Sequence, residues 1–256
     1  MTETQQPIPK RTWLAMFGRL LAVQGSWNYE LLMGNGIAFA AEPGLRLLPE
    51  PEYREALARE GRYFNCHPYL ASVAVGSLVR AELDHVPGAK IERFRTALCG
   101  PLGSVGDRLI WAGWLPVCSL LALVVFGAGA PAWVVVTVFL GMYNAGHLTL
   151  RAWGLSTGLS SGMHVAKALA GPVFRRGPDV IARAGALLAG VAIPAALARV
   201  VRHGPAPGSA LLYVVVVAGV LVGGVLLVRM HGRVDGWRIA LVVLAAFVLY
   251  AVLRHG

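Results

Sequence analysis

Charge is scarce in this chain. Only 14% of its 256 residues are Asp, Glu, Lys or Arg, against about a quarter in a soluble domain. Acidic residues are scarcer still after Asp107. Only Asp179 and Asp235 remain there, against twelve basic residues. Those basic residues flank long apolar runs, as arginines beside membrane spans do. The net charge of +10 therefore argues against a solvated nucleic-acid face. Cysteine is also sparse. Cys66, Cys99 and Cys118 lack metal-ligand spacing and read as small buried hydrophobes, which disfavours a disulfide framework. The phosphate-loop pattern GxxxxGK[ST] and the zinc motif HExxH are both missing, so no unaided catalytic constellation is visible. No internal repeat is evident. Arg19 interrupts the apolar stretch after Lys10 and Arg11, and no cleavable signal peptide is expected.

What the chain has in abundance is hydrophobic sequence, 56% of the total. Residues 1–10 read as a flexible polar tail. Residues 11–48 have an amphipathic helical pattern broken by glycines. Residues 50–64 read as a charged surface helix, with Glu55 and Arg59 spaced for an exposed face. Residues 69–80 are apolar but too short to cross a bilayer alone. Long apolar runs follow at 109–128, 131–150, 180–197 (with Arg183 near one end) and 209–228, and a shorter one at 239–253. About 20 apolar residues span the hydrocarbon core. The expected fold is an all-α integral membrane protein, with four or five transmembrane helices after residue 108. Amphipathic and re-entrant helices are expected in the N-terminal half.

Polar residues interrupt this pattern at few places. QGSWNYE (24–30) sets Gln24, Asn28 and Glu30 beside Trp27 and Tyr29. A spacing of four puts Gln24 and Asn28 on one helical face. Amides next to aromatics suit a sugar, whose hydroxyls need paired donors and acceptors while its C–H face packs on a ring. They equally suit hydrogen bonds to a partner helix. FNCHPYLA (64–71) repeats the mixture. Pro68 biases His67 away from helical geometry, so Asn65 and His67 can project from a turn. No nucleophile or paired carboxylate has suitable spacing for His67 to act as a catalyst. GPLGSVGDRLIW (100–111) has three glycines and a proline, a poor helix interior. It reads either as a loop before a span or as a backbone break whose freed amides and carbonyls serve a ligand. Asp107 caps the following helix in both readings. Asn144 and His147 lie in an apolar run and are expected to face the bundle interior.

Together with YNAGHLTLRAWGLSTG (143–158), these segments occur in the order found in one family. The chain resembles the IID subunit of mannose/fructose/sorbose-family sugar phosphotransferase systems, with specific motifs over about residues 13–176. The resemblance implies a core over 11–176 and C-terminal transmembrane helices over 177–256. It implies a multi-pass protein of the bacterial inner membrane. An obligate IIC subunit would pair with it, as a trimer of heterodimers, and move a hexose by an elevator-like shift. It also implies cytoplasmic IIA and IIB phosphocarriers, with phosphorylation of the sugar by IIB, and no phosphohistidine, metal or cofactor on this chain. Gln24, Asn28, Glu30, Asn65 and His67 would then border the sugar path. Gly100, Pro101, Gly103, Gly106 and Asp107 would form a hinge or re-entrant turn. Three departures stand out. Arg108 replaces a small residue, and Gly158-Leu159-Ser160-Ser161-Gly162 replaces the usual glycine-tyrosine-lysine-leucine-glycine. The segment at 202–208 is shortened. These leave open a non-transporting regulatory or sensory module.

Overall fold

The computed structural model describes residues 6–203. The runs expected at 209–228 and 239–253 lie outside the described residues, as do residues 1–5. Every named element among the described residues is helical.

Four helices build the N-terminal body. α1 spans Lys10–Leu20 and buries Met16 and Leu20, while Trp13 and Phe17 stack at 5.2 Å. A stretch of turns follows, so the amphipathic run expected over 11–48 is split in two. α2 spans Gly34–Leu45. A Cβ on Gly36 would overlap the Val23 carbonyl, so only glycine lets this helix approach the turns after α1. α3, Glu50–Glu60, starts with Pro51 and two acids, which suits a helix N-terminus. Its Arg59 does not serve the exposed face. It reaches across to Glu82 at 3.1 Å, while Arg54 pairs with Glu50 at 2.7 Å. α4, Ala71–Leu83, is buried along all 13 residues. Its buried polar residues are bonded within the protein, Ser77 to the Val73 carbonyl at 2.8 Å, Arg80 to the Leu159 carbonyl at 2.9 Å and Glu82 to Arg59, and α4 is the axis of the body.

Three helices are long and apolar enough to cross a membrane: Gly88–Gly127, Ala132–His164 and Ala166–Val200. The first comprises α5 (Gly88–Gly106), a π-helical segment (Asp107–Trp114) and α6 (Leu115–Gly127). At 1.5 Å per residue it is roughly 60 Å long, about twice the hydrocarbon thickness, so α5 extends well beyond the lipid. Thus the glycine-rich segment is no loop. It is helical throughout, and Asp107 lies mid-helix in αR geometry rather than at a cap. The break survives as the π-helical widening. Pro116 supplies a local cause, because it lacks an N–H and its ring presses on the carbonyl four residues back.

α7, Ala132–Ser161, ends at Gly162, where φ is +50°. It packs closely on α4 through Gly154 and Gly158, which face Ser72 and Gly76. This is small-residue packing of the kind that brings membrane helices together. Short α8 (Ala166–Leu169) turns the chain into α9 (Pro172–His203). α9 lies along α6, where Arg199 caps the carbonyls of Phe126 and Ala130.

Candidate functional site

The loop between α1 and α2 is shaped by its own side chains. The Asn28 Oδ1 accepts from the backbone N–H of Glu30 at 3.0 Å and of Leu31 at 2.8 Å. Its Nδ2 donates to the Ser26 carbonyl at 3.2 Å. Short polar side chains favour such local bonds over a helix. Gln24 and Asn28 therefore share a turn region instead of one helical face. Gln24 and Glu30 are exposed. Trp27 and Tyr29 meet edge to face at 4.9 Å, and Tyr29 is 91% exposed. The next residues stitch this loop to the second polar stretch. The Met33 N–H donates to the Phe64 carbonyl at 2.9 Å, and the Phe64 N–H to the Leu31 carbonyl at 3.2 Å. Leu32 sits between them at φ +50°, a strained setting for a non-glycine residue.

Asn65 is exposed, whereas His67 is only 1% exposed. The His67 N–H donates to the Leu102 carbonyl of α5 at 3.3 Å. Gly106 lies flat against the imidazole; a Cβ there would overlap it. The His67 Nδ1 accepts from the Tyr69 N–H at 3.2 Å, which assigns the ring proton to Nε2 in the neutral form. Burial, helped by the Arg151 cation, lowers the His67 pKa to about 4. The ring is neutral at pH 7.

Around His67 lies a cluster that the sequence reading did not assemble. Trp111 of the π-helical segment packs on His67 at 4.9 Å. The Tyr69 ring stacks on His147 at 5.0 Å, and its hydroxyl is 2.7 Å from that of Tyr143. The Arg151 guanidinium lies over Tyr69 at 4.8 Å and donates to the Leu20 carbonyl at the end of α1. Asn144 meets the His147 Nε2 at 3.0 Å. Three buried nitrogens here, His67 Nε2, His147 Nδ1 and Arg151 Nε, have no protein partner among the described residues. Orphaned polar atoms buried in one cluster point to water, a ligand or motion. The fourth motif carries a signal for it, since an arginine and a histidine in one apolar helix turn to the interior by default; Arg151 is buried, whereas Asn144 is exposed and donates to the Leu140 carbonyl at 2.7 Å, against the expectation that it faces the bundle interior.

A second buried network ties α3 to α5. Arg95 pairs with Glu60, donates to the Arg62 carbonyl at 3.0 Å and lies over Phe64 at 5.2 Å. Burial raises the Glu60 pKa to about 7 although the Arg95 cation opposes it. This clamp holds the loop that carries Asn65 and His67.

Long apolar helices around a buried aromatic, histidine and arginine cluster define an α-helical integral membrane protein. Comparison with known proteins narrows the class. The family described as "PTS system mannose/fructose/sorbose family IID component" matches residues 7–199. The chain belongs to this family. It is 27% identical over 183 residues to the mannose-specific EIID component of Escherichia coli K12, covering 68% of this chain and 64% of that one. It is 29% identical over 176 residues to the fructose permease IID component of Bacillus subtilis, covering 66% of this chain and 63% of that one. A solved structure described as a membrane protein superposes with a TM-score of 0.65 at 26% identity, over 73% of this chain and 71% of the other. The mannose transporter ManYZ, solved by cryo-electron microscopy in complex with microcin E492, shares the fold with a TM-score of 0.57 at 24% identity, over the same shares of the two chains.

Proposed function

We propose that this chain is the IID membrane subunit of a sugar phosphotransferase permease in a bacterial inner membrane. With a IIC subunit it moves a hexose of the mannose, fructose, sorbose or hexosamine class, which the IIB protein phosphorylates with phosphate relayed from IIA. The chain itself carries no phosphohistidine. The N-terminal half acts through amphipathic and re-entrant helices, and the apolar runs after residue 108 supply four or five transmembrane helices. The working complex is a trimer of IIC–IID pairs that moves as an elevator.

One observation carries this reading: four separated polar motifs meet in one place. The first motif is stitched to the second through Phe64. The second rests on the third through His67, Gly106 and Trp111. The fourth closes over Tyr69 with Tyr143, His147 and Arg151. A transport subunit needs such a polar seam between mobile and fixed helices. Gly100, Pro101, Gly103, Gly106 and Asp107 run into the π-helical segment, which suits a hinge. Exposed Gln24, Glu30 and Asn65 present the wall that faces sugar or IIC.

The test is uptake of labelled hexose in cells that also supply IIC, IIA and IIB. Asn28→Ala with His67→Ala is expected to abolish uptake without removing the protein from the membrane. Unchanged uptake removes both residues from the pathway. Arg108 and the altered Gly158–Gly162 segment favour a second reading, a regulatory or sensory module that holds IIC without transport. Assembly with IIC combined with no uptake of any hexose in the wild-type complex would select it.

A further inference from the structure

A cavity lies outside the polar cluster. It has a volume of about 680 Å³ and lies between α7, the end of the π-helical segment and the α8–α9 elbow. Its walls include Trp114, Met142, Gly146, Leu150, Trp153 and Phe174, and none of the five sugar-path residues named above. The Trp153 and Phe174 rings meet at 5.0 Å. The lining is apolar at the level of the membrane spans. At the elbow end the character changes. Lys167 and Arg175 adjoin the lining residues Ala168 and Phe174, and Arg176 follows. All three are exposed, and none forms an ion pair among the described residues.

We infer that this groove binds one anionic phospholipid, with an acyl chain along α7 and its phosphate held by Lys167, Arg175 and Arg176. Charge complementarity selects the occupant. A lipid brings its phosphate to the interface and its chain to the hydrocarbon, in the order in which the groove offers cations and apolar wall. A protein helix would have to bring carboxylates to that same height. Trp114 and Trp153 fit the picture, since tryptophan concentrates at the membrane–water boundary. Basic residues near the membrane surface each add about fivefold to affinity for anionic lipid.

Native mass spectrometry of the full chain with its partner subunit tests this, with phosphatidylglycerol and phosphatidylcholine of matched acyl chains added in turn. The wild type is expected to retain one phosphatidylglycerol per chain and to lose phosphatidylcholine. Lys167→Gln with Arg175→Gln and Arg176→Gln should weaken phosphatidylglycerol binding on the order of 100-fold. Ala145→Phe, which fills the groove and keeps the cations, should also expel it. Equal retention of the two lipids by the wild type overturns the inference, as does retention of phosphatidylglycerol by either variant. An Ala145→Cys variant that cross-links to residues 209–228 or to the partner subunit, with no lipid retained, overturns it in favour of a protein occupant.

Discussion

The contact between α4 and α7 makes a sharp prediction through Gly158. A Cβ built there lies 2.6 Å from the Val73 carbonyl oxygen, 2.7 Å from the Ser77 nitrogen and 2.9 Å from the Gly76 Cα. All three are backbone atoms of a fully buried helix, so no side chain can rotate away. Gly158→Ala must part the two helices by roughly 0.8 Å to restore ordinary contact, and a gap of that size forfeits a quarter to a half of the dispersion attraction along the seam. Overpacking costs about 1–3 kcal/mol, with the upper end fitting an immovable neighbour. Replacing glycine by alanine in a helix returns about 1 kcal/mol, which leaves a net loss of about 2 kcal/mol. Gly141 lies on the same helix with nothing within 4 Å of its would-be Cβ. Gly141→Ala therefore keeps the propensity gain and meets no clash. The pair should differ by about 3 kcal/mol, which corresponds to roughly 6–12 °C in melting midpoint for a chain of this size. Thermal unfolding of the two variants in the same detergent measures it. If Gly158→Ala melts together with Gly141→Ala, or above it, α4 and α7 do not touch as described.

Three further outcomes follow from the buried polar groups. Glu60 is raised to about 7 by burial, so its contribution to stability is present below pH 4.5 and is lost as pH rises through 7. His67 is lowered to about 4 by burial and the Arg151 cation, so its contribution is present above pH 6.5 and is lost as pH falls towards 4. Each spans at most about 3 kcal/mol, and the two oppose each other between pH 5 and 7. Glu60→Gln should therefore unmask a stability that declines on acidification, read by melting at pH 5 and pH 7. A profile unchanged from wild type refutes the assignment. Arg151→Met leaves the Leu20 carbonyl with only the long bond from the Val23 N–H at 3.4 Å and removes the cation over Tyr69, a loss of about 1–2 kcal/mol. A chemical unfolding curve with an unshifted midpoint excludes that role. Asn28→Asp keeps the acceptor that orders the loop, whereas Asn28→Ala loses about 1 kcal/mol. Equal stability of the two variants would show that the loop does not need its acceptor.

How much of this was legible in the sequence depends on which solvent each residue reports. The runs at 109–128, 131–150 and 180–197 fall inside long helices to within a residue at their ends, because hydropathy reads lipid directly and a backbone in lipid must hydrogen-bond to itself. Buried α4 was visible as a short apolar run for the same reason. In QGSWNYE the spacing of four predicts a shared helical face, but Asn28 bonds its own backbone instead. The glycine-rich segment departs in the opposite direction. Its glycines predict a loop or a backbone break, and the segment is helical. Gly106 is glycine because His67 lies against it, while Gly100 and Gly103 meet nothing. Composition cannot separate a glycine that bends a chain from one that admits a neighbour. The Tyr69–Tyr143 contact joins residues 74 positions apart, beyond the reach of any local pattern. Arg151 offered the available clue. A cation in an apolar helix needs a partner, and following that demand leads to Tyr69, then to His67, and so to the seam where the four motifs meet.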